Sequence, residues 1–393
     1  MKISRAAARS FPPEETIDTS TPPRNSLRAA ALIIVALILL AAFVVTVPYI
    51  STALKKGYSL FSGFASAGQE TLTSTIGPVE NLTTTNVQCS NIVSVRALAA
   101  PDIANGTANV AYPPDYCDLA TFALAQINAD RAANGTGPVS LDYNQAAQQH
   151  ADSMLYYGYF SHYDNQGYKP YMRYTLLGGR GADYENVAYY SAVFHSTSSI
   201  ENAIQTLEHL MVYNDSSCCG NGHRYNILDP LHNRVSIGVA YSSTYVYFDE
   251  EFENLYMNLN FSMTGPTAPD PYYVTMTGAP TQSVTPPTSI YVAFDSTPAS
   301  ETRLQLDSGP HEYGPGTLEG GILPKGPLLG GCARFTSGTT VCADTWKFNS
   351  ATVDIAFSLK EFVRNYGPGV YTLYLITGPS TNTAITTISV FVS

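Results

Sequence analysis

At 393 residues, with 45% apolar and 13% charged side chains, the chain can build two ordinary domains with packed cores and is too apolar for bulk disorder. Its net charge is −11; residues 1–28 hold five basic and three acidic side chains, which leaves −13 on the remainder. An acidic body repels phosphate backbones, and nucleic-acid binding is excluded on that ground.

Residues 1–28 read as a cytoplasmic tail. The run Ala29–Ile50 carries no charge, and roughly 20 apolar residues at about 1.5 Å each cross a hydrocarbon core. A single transmembrane helix is therefore expected at 29–50. Lys55 and Lys56 flank its far side, but the larger basic count before the run sets the N-terminus in the cytoplasm and the body outside the cell. A run this long fits an uncleaved anchor better than a cleaved signal. Two features agree with an extracellular body at the cell membrane. Sequons at Asn81, Asn105, Asn134, Asn214 and Asn260 all follow the run, as do all six cysteines.

Residues 51–114, rich in Ser, Thr, Gly and Ala, read as a stalk. Cys89 and Cys117 bracket its end and are expected to pair. Helix signals follow. Asp118 is a plausible N-cap for a helix carrying Leu119, Phe122, Ala123 and Ile127 on one face and ending at Asn134-Gly135. A second helix begins after Asp142, turns Ala146, Ala147, His150 and Met154 inward, and stops at Gly158. A third opens on a Ser198–Glu201 capping box and runs through Ile204, Leu207 and Met211. The period then changes to two: Val235–Ala240 and Tyr245–Phe248 flank a hairpin-like turn at Tyr241–Thr244. Helices followed by an antiparallel hairpin predict an α+β sandwich over 115–264.

Three prolines in Gly265–Pro271 predict a linker at 265–271. Beyond it, 272–393 has β-rich runs at Ser289–Phe294, Thr340–Phe348, Val353–Leu359, Tyr371–Ile376 and Ala384–Val392, the spacing of a β-sandwich. Gly369-Val370-Tyr371 resembles a tyrosine corner, which implies an immunoglobulin-like domain. Cys332 and Cys342 bracket a hairpin-like stretch and are expected to pair.

Three short motifs could carry chemistry: Tyr159-Phe160-Ser161-His162, Tyr184-Glu185-Asn186-Val187-Ala188, and Asn221-Gly222-His223-Arg224-Tyr225-Asn226-Ile227-Leu228. Two imidazoles and a carboxylate from three separate segments suit Zn²⁺ or a similar ion; the same groups could act as general base and acid on a water. For any one His alone, a hydrogen bond within the fold is the plainer expectation. His150 reads as a core residue, and His195, His232 and His311 as solvated. The many tyrosines, Tyr156, Tyr157, Tyr189 and Tyr190 among them, read as ordinary secreted surface, with a carbohydrate platform as the alternative. Ser161 and Ser191 lack a GxSxG context, which argues against a serine hydrolase. The adjacent Cys218 and Cys219 leave three options open. They can form a strained ring with each other, two separate bridges, or a metal or redox site.

Taken together, SH, then EN, then GHR-NIL, preceded by Ile127-Asn128-Ala129-Asp130-Arg131, resemble the microbial CAP (SCP) domain over about 115–260. Val235–Ala240 and Asp249–Glu253 resemble that family's closing hairpin. The resemblance implies an α-β-α sandwich, here preceded by the transmembrane helix and followed by an all-β immunoglobulin-like sandwich. It also implies a central cavity of two His and two acidic residues that holds a divalent metal in several members. By motif, His162, Glu185 and His223 take three of those places. Glu208 is the candidate for the fourth, though the register also allows His209. The expected function is binding of a lipid, glycan or cell-envelope protein at a cavity that can take a divalent metal, zinc first, with no catalytic activity assigned. A metal-dependent hydrolase or peptidase, and an inert structural envelope protein, are the alternatives.

Overall fold

The computed structural model describes residues 2–3 and 115–393, apart from 143, 266, 311, 327–330 and 378–382. The expected tail, span and stalk, with Cys89, Asn81 and Asn105, otherwise lie outside the described residues, as does His311. Among the described residues no helix is long and apolar enough to cross a membrane.

The chain opens on α1 (Tyr116–Ala133), whose Leu119, Ala120, Ala123 and Ile127 recur at helical spacing and are fully buried. After a short strand β1 (Ser140–Leu141), α2 (Ala146–Tyr157) ends at Gly158, which takes the left-handed conformation that a residue without Cβ adopts most readily. A seven-residue helix α3 (Pro170–Leu176) and a ten-residue strand β2 (Ala182–Ser191) were not expected. Next come α4 (Thr197–Tyr213) and two short helices, α5 (Ser216–Cys219) and α6 (Gly222–Ile227). The α4 capping box is Ser196–Ser199, two residues ahead of the expected one. The predicted hairpin is β3 (Arg234–Tyr241) and β4 (Tyr245–Asn254).

These strands form one sheet in the order β2-β4-β3-β1, with residues 2–3 paired to Ala188 and Tyr189 on the outer side of β2. Strand alternation sorts its two faces. Val235, Ile237 and Val239 of β3 with Phe248 and Phe252 of β4 form one core with α1 and α4. The opposite face carries Tyr247, Asp249, Glu251 and Glu253 beneath α2 and α3. Gly238 lies there, and a Cβ on it would fall 2.2 Å from the Ala147 carbonyl oxygen, so α2 sits directly on the sheet backbone. The result is the expected α-β-α layering in a mixed helix-and-sheet chain.

The remaining strands are β5 (Met257–Met263), β6 (Tyr273–Pro280), β7 (Pro287–Asp295), β8 (Thr317–Leu323), β9 (Thr339–Cys342), β10 (Thr345–Phe348), β11 (Val353–Ser358), β12 (Gly369–Thr377) and β13 (Thr383–Val392). Short helices α7 (Arg303–Ser308) and α8 (Lys360–Tyr366) interrupt them. Two sheets, β9-β8-β7-β12-β13 and β10-β11-β6-β5, close over one apolar core that includes Val274, Met276, Ile290, Val292, Phe357 and Leu373. The Tyr371 hydroxyl donates back to the Gly367 carbonyl, the bond a tyrosine corner makes. Cys332 and Cys342 are bonded to each other, as are Cys218 and Cys219. Cys117 is disulfide-bonded too.

One boundary differs from expectation. β5 and β6 pair antiparallel along their length, from Met257↔Pro280 to Met263↔Val274, so 265–271 is a hairpin connection within the β-sandwich and not a linker between domains. Prolines fit there because the connection needs no ladder hydrogen bonds. The two layered halves belong to one unit and are joined by polar bonds. Lys169 Nζ and the Tyr171 hydroxyl both reach the Asp295 carboxylate, at 2.7 and 2.8 Å. Thr387 N donates to the Gly181 carbonyl at 2.9 Å.

Candidate functional site

The site is built at β2, the outer strand of the sheet's main body. Glu185 is on the acid-bearing face of β2, 5% exposed, and both carboxylate oxygens are taken. His162 Nδ1 lies 2.7 Å from Oε2, and the Arg173 guanidinium binds Oε1. His162 reaches Glu185 because Gly158 ends α2 and Asp164 ties the following turn, accepting from Gln166 N at 2.9 Å and Tyr168 N at 2.8 Å. Arg173 projects from α3 and also donates to the carbonyls of His162 (2.9 Å) and Tyr168 (3.0 Å). α3 starts at Pro170, a residue suited to the first turn because the missing N–H has no helical partner there anyway.

Burial dominates the electrostatics. It lowers His162 to about 3, helped by the nearby His223 ring and Arg173, so the imidazole is neutral and donates from Nδ1 to Glu185. Burial pushes Glu185 up to about 7 against the pull of Arg173. Because the guanidinium is in direct contact, we take Glu185 as the ionised partner of Arg173. His150 is also held neutral by burial; its Nε2 lies 2.8 Å from the Ser161 carbonyl, while its Nδ1, fully buried, has no partner.

The same face carries more acid. Antiparallel register sets Asp183 opposite Glu253 and Glu185 opposite Glu251, with Asp249 one repeat along β4. Burial raises Glu251 to about 8 and holds Asp183, Asp249 and Glu253 well above the usual carboxylate range. Like charges placed directly opposite repel, and one guanidinium faces the group, so these carboxyls hold protons.

His223 opens α6. Its Nδ1 lies 2.7 Å from Asp215 Oδ1, and Asp215 Oδ2 accepts from Arg224 N at 3.2 Å. Asp215 is 1% exposed. Glu208 points inward from α4 while His209 is exposed, which resolves that register. Glu208 nevertheless bonds to neither imidazole: both its oxygens are buried without a hydrogen-bond partner among the described residues, and burial, with the nearby Glu250 adding to it, raises it well above the usual range. Asn186 links the parts, donating to Glu250 Oε2 at 3.1 Å and to the His223 carbonyl at 3.5 Å.

Of the four expected residues, the structure thus joins His162 to Glu185, gives His223 a carboxyl partner of its own and sets Glu208 near Glu250. Arg173, Asp215 and Tyr313 escaped the sequence reading; His150 is buried as expected of a core residue, and Asp249 was read only as part of the closing hairpin. Tyr313 comes from the β-sandwich half: its hydroxyl accepts from Glu185 N at 2.8 Å, and its ring lies 4.9 Å from that of His162. Asp215 eight residues before His223 was the one local signal available. His232, expected in solvent, is 3% exposed and bonded to Asn254 at 2.8 Å and Asn226 at 2.9 Å. Nor are all the tyrosines plain surface. Tyr189 stacks on Tyr247 at 5.6 Å, and both line a groove of about 320 Å³ with Phe160, Tyr245, Arg303 and Asp307.

Among the described residues, two sets of metal-ligating atoms fall within 4.8 Å of one another: His150, Glu185 and Asp249, and Asp215, Cys218, Cys219 and His223.

Residues 124–259 match the family model described as the Cysteine-rich secretory protein family, CAP. Among solved structures, the CAP domain of Enterococcal PrgA aligns at 14% identity and a TM-score of 0.26, over 35% of this chain and 60% of that one. No curated protein matches the chain.

Proposed function

We propose, taking as premise that this chain is a CAP superfamily member through residues 124–259, that it is a binding protein whose His162 and His223 imidazoles together take a divalent cation, Zn²⁺ first. One observation carries the reading. Each imidazole meets a carboxylate at 2.7 Å through Nδ1, His162 with Glu185 and His223 with Asp215. A carboxylate behind Nδ1 fixes the tautomer, turns the ring and leaves Nε2 as a bare lone pair, the arrangement that prepares a histidine to ligate. The nearness of the rings is felt in the lowered proton affinity of His162. A bound cation would supply charge to hold an acidic or carbonyl group of the ligand. The chain's own part is to orient both rings and to keep the cavity floor rigid through Arg173. The ligand classes remain those the family resemblance implies: a lipid, a glycan or an envelope protein.

Zn²⁺ titration of the metal-free protein by calorimetry tests this. Wild type should take up one equivalent, the His162→Ala, His223→Ala double variant none, and Asp215→Asn should bind about 10–100-fold more weakly. Equal uptake by wild type and the double variant rules the cavity out.

We also propose that Ala29–Ile50 anchors the chain in the membrane with the CAP half outside. Anchoring there and the pairing of residues 2–3 with β2 are mutually exclusive within one chain, since a bilayer would lie between them. Cysteines placed at residues 10 and 300 decide. An impermeant reagent applied to intact cells should modify residue 300 alone; modification at residue 10 overturns the orientation.

A further inference from the structure

The loop between α4 and α6 holds a second constellation, which shares Asp215 and His223 with the two-imidazole reading and adds two cysteines that it does not use. Asp215, Cys218, Cys219 and His223 each offer a ligand atom, and all four atoms lie within 4.8 Å of one another. The chain is bent to bring them together. Gly220 and Asn221 are both left-handed, with φ of 60° and 69°, and Asn221 is the single non-glycine residue with positive φ among the described residues. Two left-handed residues in succession turn the end of α5 back onto the start of α6, which returns His223 to the cysteines. Asp215 sits at the centre. Its carbonyl accepts from Cys219 N at 2.9 Å, its carboxylate holds His223, and Cys218 Sγ lies 3.4 Å from the same carbonyl and 3.5 Å from Oδ1. Asp215, Cys219 and His223 are 1%, 3% and 6% exposed, so the group is shielded from competing water.

We propose that, once the Cys218–Cys219 bridge is reduced, Asp215, Cys218, Cys219 and His223 form a thiolate-bearing Zn²⁺ site that is an alternative to the two-imidazole one. Two sulfurs, one imidazole nitrogen and one carboxylate oxygen make a tetrahedral set that Zn²⁺ favours over Ca²⁺ or Mg²⁺. A thiol or phosphine reductant supplies two electrons, the S–S bond breaks, and two protons from solvent complete two thiols while the reductant is oxidised. Metal binding then expels both thiol protons to water, since the thiolates are the ligands.

His223 connects this site to the first. In the bridged form its Nδ1–H donates to Asp215, which leaves the lone pair on Nε2. Ligation through Nδ1 needs the lone pair there and moves the ring proton to Nε2. One neutral ring cannot offer both lone pairs, so the two sites exclude each other. The redox state of the adjacent cysteines then selects which is formed. The thiolate site itself does not depend on the two-imidazole reading.

Co²⁺ as a spectroscopic stand-in for Zn²⁺ tests the proposal on the full-length chain in detergent. After treatment with a phosphine and removal of oxygen, titration should raise a near-ultraviolet sulfur-to-cobalt charge-transfer band that saturates at one equivalent. The bridged protein should show none. The Cys218→Ser, Cys219→Ser variant should lose the band, and the Cys332→Ser, Cys342→Ser variant, which removes the bridge in the β-sandwich, should keep it. His162→Ala should also keep it, so loss of the two-imidazole site and loss of this one are told apart. No band in reduced wild type, or a full band without Cys218 and Cys219, overturns the proposal.

Discussion

Replacing Arg173 by methionine is expected to destabilise the protein by about 3–5 kcal/mol at pH 7.5, the scale of a buried ion pair that has lost one partner. Arg173 is 5% exposed and does three jobs at once. It neutralises Glu185, lies 3.9 Å from Glu251, and satisfies the carbonyls of His162 and Tyr168. Methionine fills a similar volume, so the loss is of charge and hydrogen bonds rather than of packing. Against a typical total of about 5–15 kcal/mol, the change removes a large share of stability. Arg173→Lys should fall between, because an ammonium keeps the charge but not the planar fork that serves three acceptors. Urea denaturation at pH 7.5 reads the effect. If the methionine variant fails to accumulate, refolding it at pH 5 supplies material. A wild-type midpoint for Arg173→Met would remove the buried-pair account.

The second large effect is with pH. Glu251 rises to about 8 in the folded chain from an ordinary 4.5, chiefly through burial and with Glu185 adding to it. Below the ordinary value both folded and unfolded chains carry the proton, and the stabilisation is fully present. Between about 4.5 and the folded value of about 8, the unfolded chain has released a proton that the folded chain still holds. Stability then falls by about 1.4 kcal/mol per pH unit for each such proton. Every element facing the group contributes to the balance: Arg173 from α3, His150 from α2, Asp183 and Glu185 from β2, Ser236 from β3, and Asp249 and Glu253 from β4. The buried neutral His150 and His162 oppose this below about 6.5, where the unfolded chain takes up their protons, but the raised carboxyls outnumber them, so the net direction is toward greater stability in acid. The melting temperature should drop by at least about 5 °C between pH 5 and pH 8, since about 1 kcal/mol moves it by about 2–4 °C in a protein of this size. Glu251→Gln should flatten that slope by about one proton's worth. A melting temperature that is level or rises over the same range contradicts the protonated-cluster account.

Legibility in the sequence followed the physics of each segment. α1, α2 and α4 show clean periods, because each buries one face and exposes another; the β3–β4 hairpin showed itself through its β-branched and aromatic runs about a short turn, although both of its faces are buried. β2 did not show itself. It is buried on both faces yet carries Asp183 and Glu185, so its polarity resembles a loop. α3 is seven residues long and begins at a proline, too short for a period to register. His162 and Glu185 were legible as a pair through their motifs. Glu208 was legible as the inward residue of α4, but its neighbour Glu250 was not. The contribution of Tyr313 had no local signal, since it lies 128 positions from the residue it touches. His232 was misjudged from its polar sequence neighbours; its ring turns inward and bonds to Asn226 and Asn254 instead of facing water.

That last-named tyrosine has a consequence for modularity. The family model ends at residue 259, yet the amide of Glu185 is closed by a hydroxyl from well beyond that point. Excised and grafted elsewhere, the matched segment would lose the first two turns of α1 and leave that amide, and the strand bearing it, open to pairing with another chain. Such a fragment would tend to self-associate. The matched half is therefore not a portable cassette: it inherits its lid from its neighbour, and the two would have to be transplanted together.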